Sequence, residues 1–492
     1  MSTEGLSKIP SGTPGLDSVL RGGVPEAHTT IVYGGPGTGK TILALQYLAA
    51  GGDGLYVGFE ERERELRRNA AALGIDLSDV RILDLSPKGE QFFTDESYTV
   101  FPTEEVDGED LLDRIASELE TSDVDRLVVD PLSELRALLP DDFQFRRKIT
   151  SLFNALTNRG VTTVCTAQPP ADPDGDDDLQ FLGNTVVELR RTTEQRTLEV
   201  TKYRGSGFAS GVHTYRIHAG TGARVYPKLV PGDHEQTHER DQLSSDVPEL
   251  DALLHGGIER GSVTVISGPS GVGKTTTGSQ FVQAAADRGE RGLVYLFEEL
   301  RADYLYRSTA LGMELESFVD AGELEVEEVE TLTRTPDEFA AHVREAVEER
   351  DIGFVMLDGI AGYRQGLRGE ESTAALTREL HALCRYLKRM GVTVVLIEEI
   401  QYVTGEFSPT AHEISYLADN IVFLRYLETE GRLEKAIGVL KKRYGGFEKS
   451  LRWFSIESGE GLQVGEALAG YQGLLTGIAE PVDGQDSDPP RE

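Results

Sequence analysis

Apolar positions along this chain fall into two kinds of run. Short stretches such as TTIVY (29–33), RLVVD (126–130), VTTVCTA (161–167), FVMLD (354–358) and VTVVLIE (392–398) are apolar or β-branched at successive positions rather than alternate ones. Such runs predict strands buried on both faces, the signature of a parallel sheet with a helical layer on each side. Longer segments of helix-forming composition lie between them, so strand and helix alternate. The predicted class is α/β, a mostly parallel sheet flanked by helices. No apolar run reaches the roughly 18 residues needed to cross a bilayer. The first residues, MSTEGLSKIPSG, lack the basic and apolar stretches of a signal peptide. A soluble, cytoplasmic protein with no membrane partner is the expectation.

The pattern occurs twice. IVYGGPGTGKT (31–41) and VISGPSGVGKT (265–275) each run from an apolar strand through a Gly-rich turn into a helix-compatible segment, and Lys40 and Lys274 lie 234 residues apart. Upstream of both stands P-x-LD-x-x-L-x-GG. Downstream, LYVGFEE (55–61) answers VYLFEEL (294–300), LVVDPLSEL (127–135) answers FVMLDGIAGY (354–363), and TKYRG (201–205) answers LKKRYG (440–445). Four features in one order at nearly one offset indicate a duplicated domain. The expected division is a first domain at 1–229, a linker at 230–244 that is rich in proline and charge, a second domain at 245–475, and an acidic, proline-rich, disordered tail at 476–492.

A chain of 492 residues exceeds what one core usually organises, in keeping with two domains. Composition adds a strong acidity. The net charge is −35, of which residues 1–230 carry 24 − 36 = −12 and residues 231–492 carry 25 − 48 = −23. Both halves repel phosphate backbones at a distance, which argues against indiscriminate nucleic-acid binding. Abundant carboxylate with 37 Arg but 12 Lys also fits a halophilic, salt-rich cytoplasm, where a short Debye length tolerates self-repulsion. Two cysteines, Cys165 and Cys384, are too few for a disulfide framework and read as core residues.

The Gly-rich segments fit G-x-x-x-x-G-K-[ST], a P-loop (Walker A) pattern, from Gly34 to Thr41 and from Gly268 to Thr275. Glycines let successive amides point into an anion-binding nest at a helix N-terminus. The nucleotide-binding candidates are therefore Gly34, Gly35, Gly37, Thr38, Gly39, Lys40 and Thr41, then Gly268, Ser270, Gly271, Val272, Gly273, Lys274 and Thr275. The lysines are placed to reach the β- and γ-phosphates of ATP, and the hydroxyls of Thr41 and Thr275 to ligate Mg²⁺. Asp130 and Asp358 end apolar strands, where a carboxylate holds the magnesium water shell; a lone Asp there more often caps a helix, and its duplication favours the metal. Glu60 with Glu61, and Glu298 with Glu299, follow an apolar strand and are candidates to activate the attacking water, with the base in each pair left open. Lys202 with Arg204, and Lys441 with Arg443, lie in late strands. In ring ATPases such cations reach the neighbouring subunit's nucleotide and offset charge that grows at the γ-phosphate.

The two P-loops, the FEE segments, the strand-end aspartates and the K-x-R pairs together resemble the KaiC-like branch of RecA-type ATPases over about residues 8–475. The resemblance implies two tandem RecA-like P-loop domains per subunit, a hexameric double ring with ATP between subunits, ATPase activity, and signalling or circadian-type regulation through protein partners that the sequence leaves unknown. In the family's clock members the second domain also phosphorylates itself. Aligning EISYLADNIVFLRY (413–426) with that segment puts Ser415 at the phosphoserine position and Tyr416 where the clock proteins have threonine. The resemblance therefore supports a one-site serine autokinase but not an ordered two-site cycle.

Two rivals share the core. A recombinase or hexameric helicase would carry basic mobile loops, whereas QPPADPDGDDDLQ (168–180) is acidic without Lys or Arg, and EEIQYVTGEFSPTAHE (398–413) has aromatics but no Lys or Arg. A nucleotide-gated interaction scaffold with little turnover is the other rival; nothing in the sequence excludes it.

Overall fold

The computed structural model describes residues 6–86, 108–137, 142–169, 179–233, 241–330, 332–367, 373–400, 414–429, 431–469, 471–472 and 480–481. The chain divides into two compact units, Met1–Lys228 and Leu229–Glu492. Each is built on one nine-stranded sheet.

In the first unit the strands lie in the spatial order Gly222–Tyr226, Val212–His218, Arg196–Tyr203, Thr185–Arg191, Thr29–Gly34, Thr162–Ala167, Arg126–Asp130, Gly54–Gly58 and Arg81–Asp84. The last six are mutually parallel and the first three extend the sheet antiparallel. The second unit repeats this order strand for strand. From the antiparallel edge it runs Gly461–Ala467, Arg452–Glu457, Arg432–Lys442, Asn420–Thr429, Val263–Gly268, Thr393–Glu399, Ile352–Asp358, Arg291–Leu296 and Leu324–Glu328. The expected mostly parallel sheet is thus present in both units. The antiparallel extensions, which hairpins can form without crossover helices, were not anticipated.

The central strands explain the continuous apolar runs. All six residues of Thr29–Gly34 and of Val263–Gly268 are buried, with parallel neighbours on either side. Side chains alternate between faces. Ile31 and Tyr33 enter one core and Val32 the other; in the second unit Val265 and Ile266 divide likewise. Each fully buried aliphatic side chain contributes about 1.5–3 kcal/mol. Cys165 and Cys384 are buried free thiols within these cores.

In the stretch expected to link the domains, Pro231–Asp233 forms a 3₁₀ turn, Gln242–Leu243 pairs with Ile258–Glu259, and residues 234–240 lie outside the described set. Within the expected tail, Glu480–Pro481 pairs with Tyr471–Gln472; its other residues are outside the described set. Among the described residues no helix is long and apolar enough to cross a membrane.

Candidate functional site

In each unit the P-loop leaves the carboxyl end of the central strand, where the strands on its two sides connect in opposite directions. In open α/β sheets this crevice is where ligands bind. The loop enters the helices Lys40–Ala49 and Lys274–Asp287 through a left-handed glycine, Gly39 at φ 95° and Gly273 at φ 117°. A side chain at Gly273 would also collide with Ile456, 2.5 Å from an added Cβ. Glycine therefore sets both the turn and the approach of the backbone amides to an anion.

The lysines are nearly buried, each 8% exposed, and fold back on their own loops. Lys40 Nζ donates to the Gly35 carbonyl at 3.0 Å and Lys274 Nζ to the Pro269 carbonyl at 2.8 Å. Burial lowers the pKa of both amines. Asp130 and Glu60 oppose this around Lys40, and Glu399, Asp358 and Glu298 do so around Lys274. All but Glu399 are strand-end or paired carboxylates singled out from sequence.

In the second unit these groups share a cleft of about 540 Å³ with Ser270, Gly271 and Gly273. Thr275 Oγ1 donates to Asp358 Oδ1 at 3.2 Å. Burial first, and then the Glu299 charge, push the Asp358 carboxyl up to about 7, with Thr275 and Arg307 pulling the other way. A hydroxyl and a carboxylate at the mouth of a phosphate cradle form a hard-oxygen pair that suits Mg²⁺, which is commonly held by one or two protein oxygens together with substrate phosphates. Among the described residues no group of three or more His, Cys, Asp or Glu is arranged to hold a metal ion by itself.

The first unit supports its aspartate differently. Tyr56 Oη donates to Asp130 Oδ2 at 2.8 Å and the Thr166 hydroxyl donates to Asp130 Oδ1. Strand register puts Ile397 at the place of Thr166, and Glu399 at the place of Gln168. Glu399 Oε2 lies 3.8 Å from Lys274 Nζ, so the second cradle has an added carboxylate.

The paired glutamates separate into distinct settings. Glu60 is exposed, and its carboxyl is raised by partial desolvation, then by Asp130 and Glu134, against Lys40. Glu298 Oε1 accepts the Gly362 N–H at 3.0 Å. A Cβ on Gly362 would stand 2.9 Å from Glu298 Cγ, so glycine makes this seat. The second member of each pair is held by the following helix. Asn69 Nδ2 donates to Glu61, and Arg307 grips Glu299 with Nη1 to Oε2 at 2.6 Å and Nη2 to Oε1 at 2.8 Å.

The basic pairs and Ser415 are not brought to their own P-loop. Lys202 is paired with Val186, which pairs with Ile31, while Gly34 pairs with Leu189 further along. Likewise Lys441 faces Ile421 beside Val265, and the Arg443 N–H bonds the Asp419 carbonyl while the Asp419 N–H bonds that of Val263. Val263 starts the strand that ends at Gly268, so about 15 Å of strand separates Arg443 from the cradle. Lys202 Nζ donates to the Gln180 and Phe181 carbonyls; Lys441 Nζ donates to those of Ser415 at 2.9 Å and Ala418 at 2.6 Å. Arg443 pairs with buried Asp419 at 3.3 Å, and Arg204 sits one residue past its strand. Ser415 is half-buried in the 3₁₀ turn Ile414–Tyr416. Residues 170–178 and 401–413 of the two discriminating loops lie outside the described residues.

Sequence reading missed Arg307, Glu399, Tyr56, Thr166 and Gly362. Arg307 had one available signal, its alignment with Asn69 at the same 238-residue offset that relates Glu61 to Glu299.

A family model described as "ATPase: KaiC" matches residues 9–230 and 243–469. The circadian clock oscillator protein KaiC of Prochlorococcus marinus is 28% identical over 502 aligned residues, covering 98% of this chain and 97% of its own. The circadian clock protein KaiC3 of Synechocystis sp. is 28% identical over 492, covering 96% and 95%. A KaiC of Thermostichus vulcanus is 26% identical over 498, covering 97% and 92%.

Proposed function

The chain belongs to the KaiC family of ATPases, with two tandem RecA-like P-loop domains that bind ATP, and from that premise we propose that it is a magnesium-dependent ATPase whose sites are completed between subunits of a homo-oligomeric, hexameric ring. The observation that carries this reading is the split of each sheet between its edges. The cradle, the strand-end aspartate and the paired glutamates converge on the carboxyl edge, while Lys202, Arg204, Lys441 and Arg443 are anchored at the other. Cations that cannot reach their own site are suited to a neighbour's.

The roles follow from charge and position. Amides of the two Gly-rich loops and Lys40 or Lys274 bind the β- and γ-phosphates. Mg²⁺, when bound, neutralises phosphate oxygens, and Thr41 with Asp130 and Thr275 with Asp358 are the residues that would hold it. Glu60 and Glu298, the members of the two glutamate pairs whose charge acts on those lysines, orient the attacking water and take its proton. The far-edge cations of the adjoining subunit offset charge at the γ-phosphate.

Ser415 lies at that far edge, its carbonyl bonded by Lys441, which favours a second activity, serine autophosphorylation from a neighbour's ATP. The protein acts in signalling, its nucleotide state read by partners through ring assembly. The test is intact-mass spectrometry after incubation with Mg²⁺-ATP in high salt, with phosphate release followed in the same tube. Phosphate release establishes turnover, and a gain of one phosphate at Ser415 establishes the autokinase. No release refutes the ATPase reading of these sites in favour of a scaffold.

A further inference from the structure

The two halves share a strand order and a catalytic motif, yet one contact differs in kind. At Glu61 the partner from the next helix is a neutral amide, Asn69; at Glu299 it is a guanidinium, Arg307, engaging both carboxylate oxygens at 2.6 and 2.8 Å. Bidentate pairs of this type fix orientation as well as charge. Arg307 also lines the cleft that holds Lys274, Thr275, Glu298 and Asp358. Its own placement is supported from below. The guanidinium lies 5.8 Å from the centre of the Tyr304 ring, and the Tyr304 hydroxyl shares a 2.8 Å hydrogen bond with Ser279 on the P-loop helix. At the corresponding places the first half has Leu66 and Leu45. Tyr304, Ser279 and Arg307 thus form a polar strut present only in the second half.

We propose that Arg307 is a positioning residue of the second ATP site, clamping Glu299 as a fixed anion so that Glu298, seated on the Gly362 N–H, alone engages the attacking water. This rests on the reading of the paired glutamates given above. Without the clamp, Glu299 would be a second unrestrained carboxylate beside the γ-phosphate, competing with Glu298 for the water and repelling the nucleotide. The cation is matched to a heavier anionic load, since Glu399 occupies the register position of Gln168. The second half therefore holds its two glutamates in unlike roles, whereas the first half restrains Glu61 through an uncharged partner.

The test uses the full chain carrying Glu60→Gln and Glu61→Gln, so that turnover reports the second site. Arg307→Asn, which copies the first half, is expected to lower kcat about tenfold with KM within about twofold, and Arg307→Lys to recover part of the loss. Because Arg307 acts through Glu299, adding Arg307→Asn to Glu299→Gln is expected to cost nothing further. Losses that multiply in that double variant, or a wild-type kcat in Arg307→Asn, would overturn the clamp. A raised KM at unchanged kcat would also overturn it, making Arg307 a phosphate contact. Glu298→Gln in the same background separates the two levels of inference. If it leaves turnover intact, the glutamate assignment fails and the clamp with it; if it abolishes turnover, only the Arg307 results bear on the clamp.

Discussion

The Thr275 hydroxyl and the Asp358 carboxylate meet at 3.2 Å, joining the start of the P-loop helix to the end of a strand 83 residues later. Both are candidate magnesium ligands. Asp358→Asn keeps the volume and removes the charge, so it is expected to raise the Mg²⁺ concentration for half-maximal turnover roughly tenfold or more. A magnesium titration of phosphate release checks this; an unchanged midpoint would remove Asp358 from the metal site.

Lys40→Ala and Lys274→Ala each delete a nearly buried amine that faces the cradle. Each is expected to weaken nucleotide binding in its own half by about 10- to 100-fold, the value of one or two charge-assisted hydrogen bonds. Calorimetric titration with a slowly hydrolysed ATP analogue resolves the two halves. Retained affinity in either variant would sink the P-loop assignment there.

Arg443→Ala should leave nucleotide affinity within about twofold while depressing turnover about a hundredfold. Subunits carrying Arg443→Ala mixed with subunits carrying Glu298→Gln each keep what the other lacks. Recovery of phosphate release on mixing would show action across a subunit boundary, and additive low rates would show that Arg443 works in its own subunit or not at all.

Glu327 supplies a pH signature away from the site. Burial alone would raise its carboxyl, but the hydrogen bond and charge of His342 at 2.7 Å, with Arg334 at 2.7 Å, outweigh that and hold it below the usual range. A carboxyl lowered by folding stabilises above its unfolded pKa of about 4.3, and that contribution is lost as pH falls through the folded value. Glu327→Gln should therefore cost on the order of 1 kcal/mol near pH 7, with the gap to wild type closing below about pH 4. Chemical denaturation across that range measures it.

The P-loops, the strand-end aspartates and the FEE segments were legible because each is local in sequence and occurs twice at one offset. Gly39 and Gly273 were readable for the same reason, since a left-handed turn demands them. The grip of Arg307 on Glu299 was not, because the 238-residue offset aligns Arg307 only with a neutral Asn69, and the contact itself depends on how the helix face meets the glutamate. Tyr56 and Thr166 reach Asp130 only through sheet register, which sets three strands side by side across more than a hundred residues. The K-x-R pairs were recognised as a motif, but only the register of Lys441 against Ile421 reveals that they lie at the opposite edge from their own P-loop. Ser415 was found by resemblance, and its bond to Lys441 came from the fold.

The two-edged sheet also carries a kinetic meaning. If the anion cradle comes from one copy and the far-edge cations from another, the rate law contains the subunit concentration. Dilution below the assembly threshold should then leave ATP bound but unspent, and specific activity should climb with protein concentration before it levels off. Abundance itself would become an input to the enzyme, with the number of chains in the cell setting whether any of them turns over.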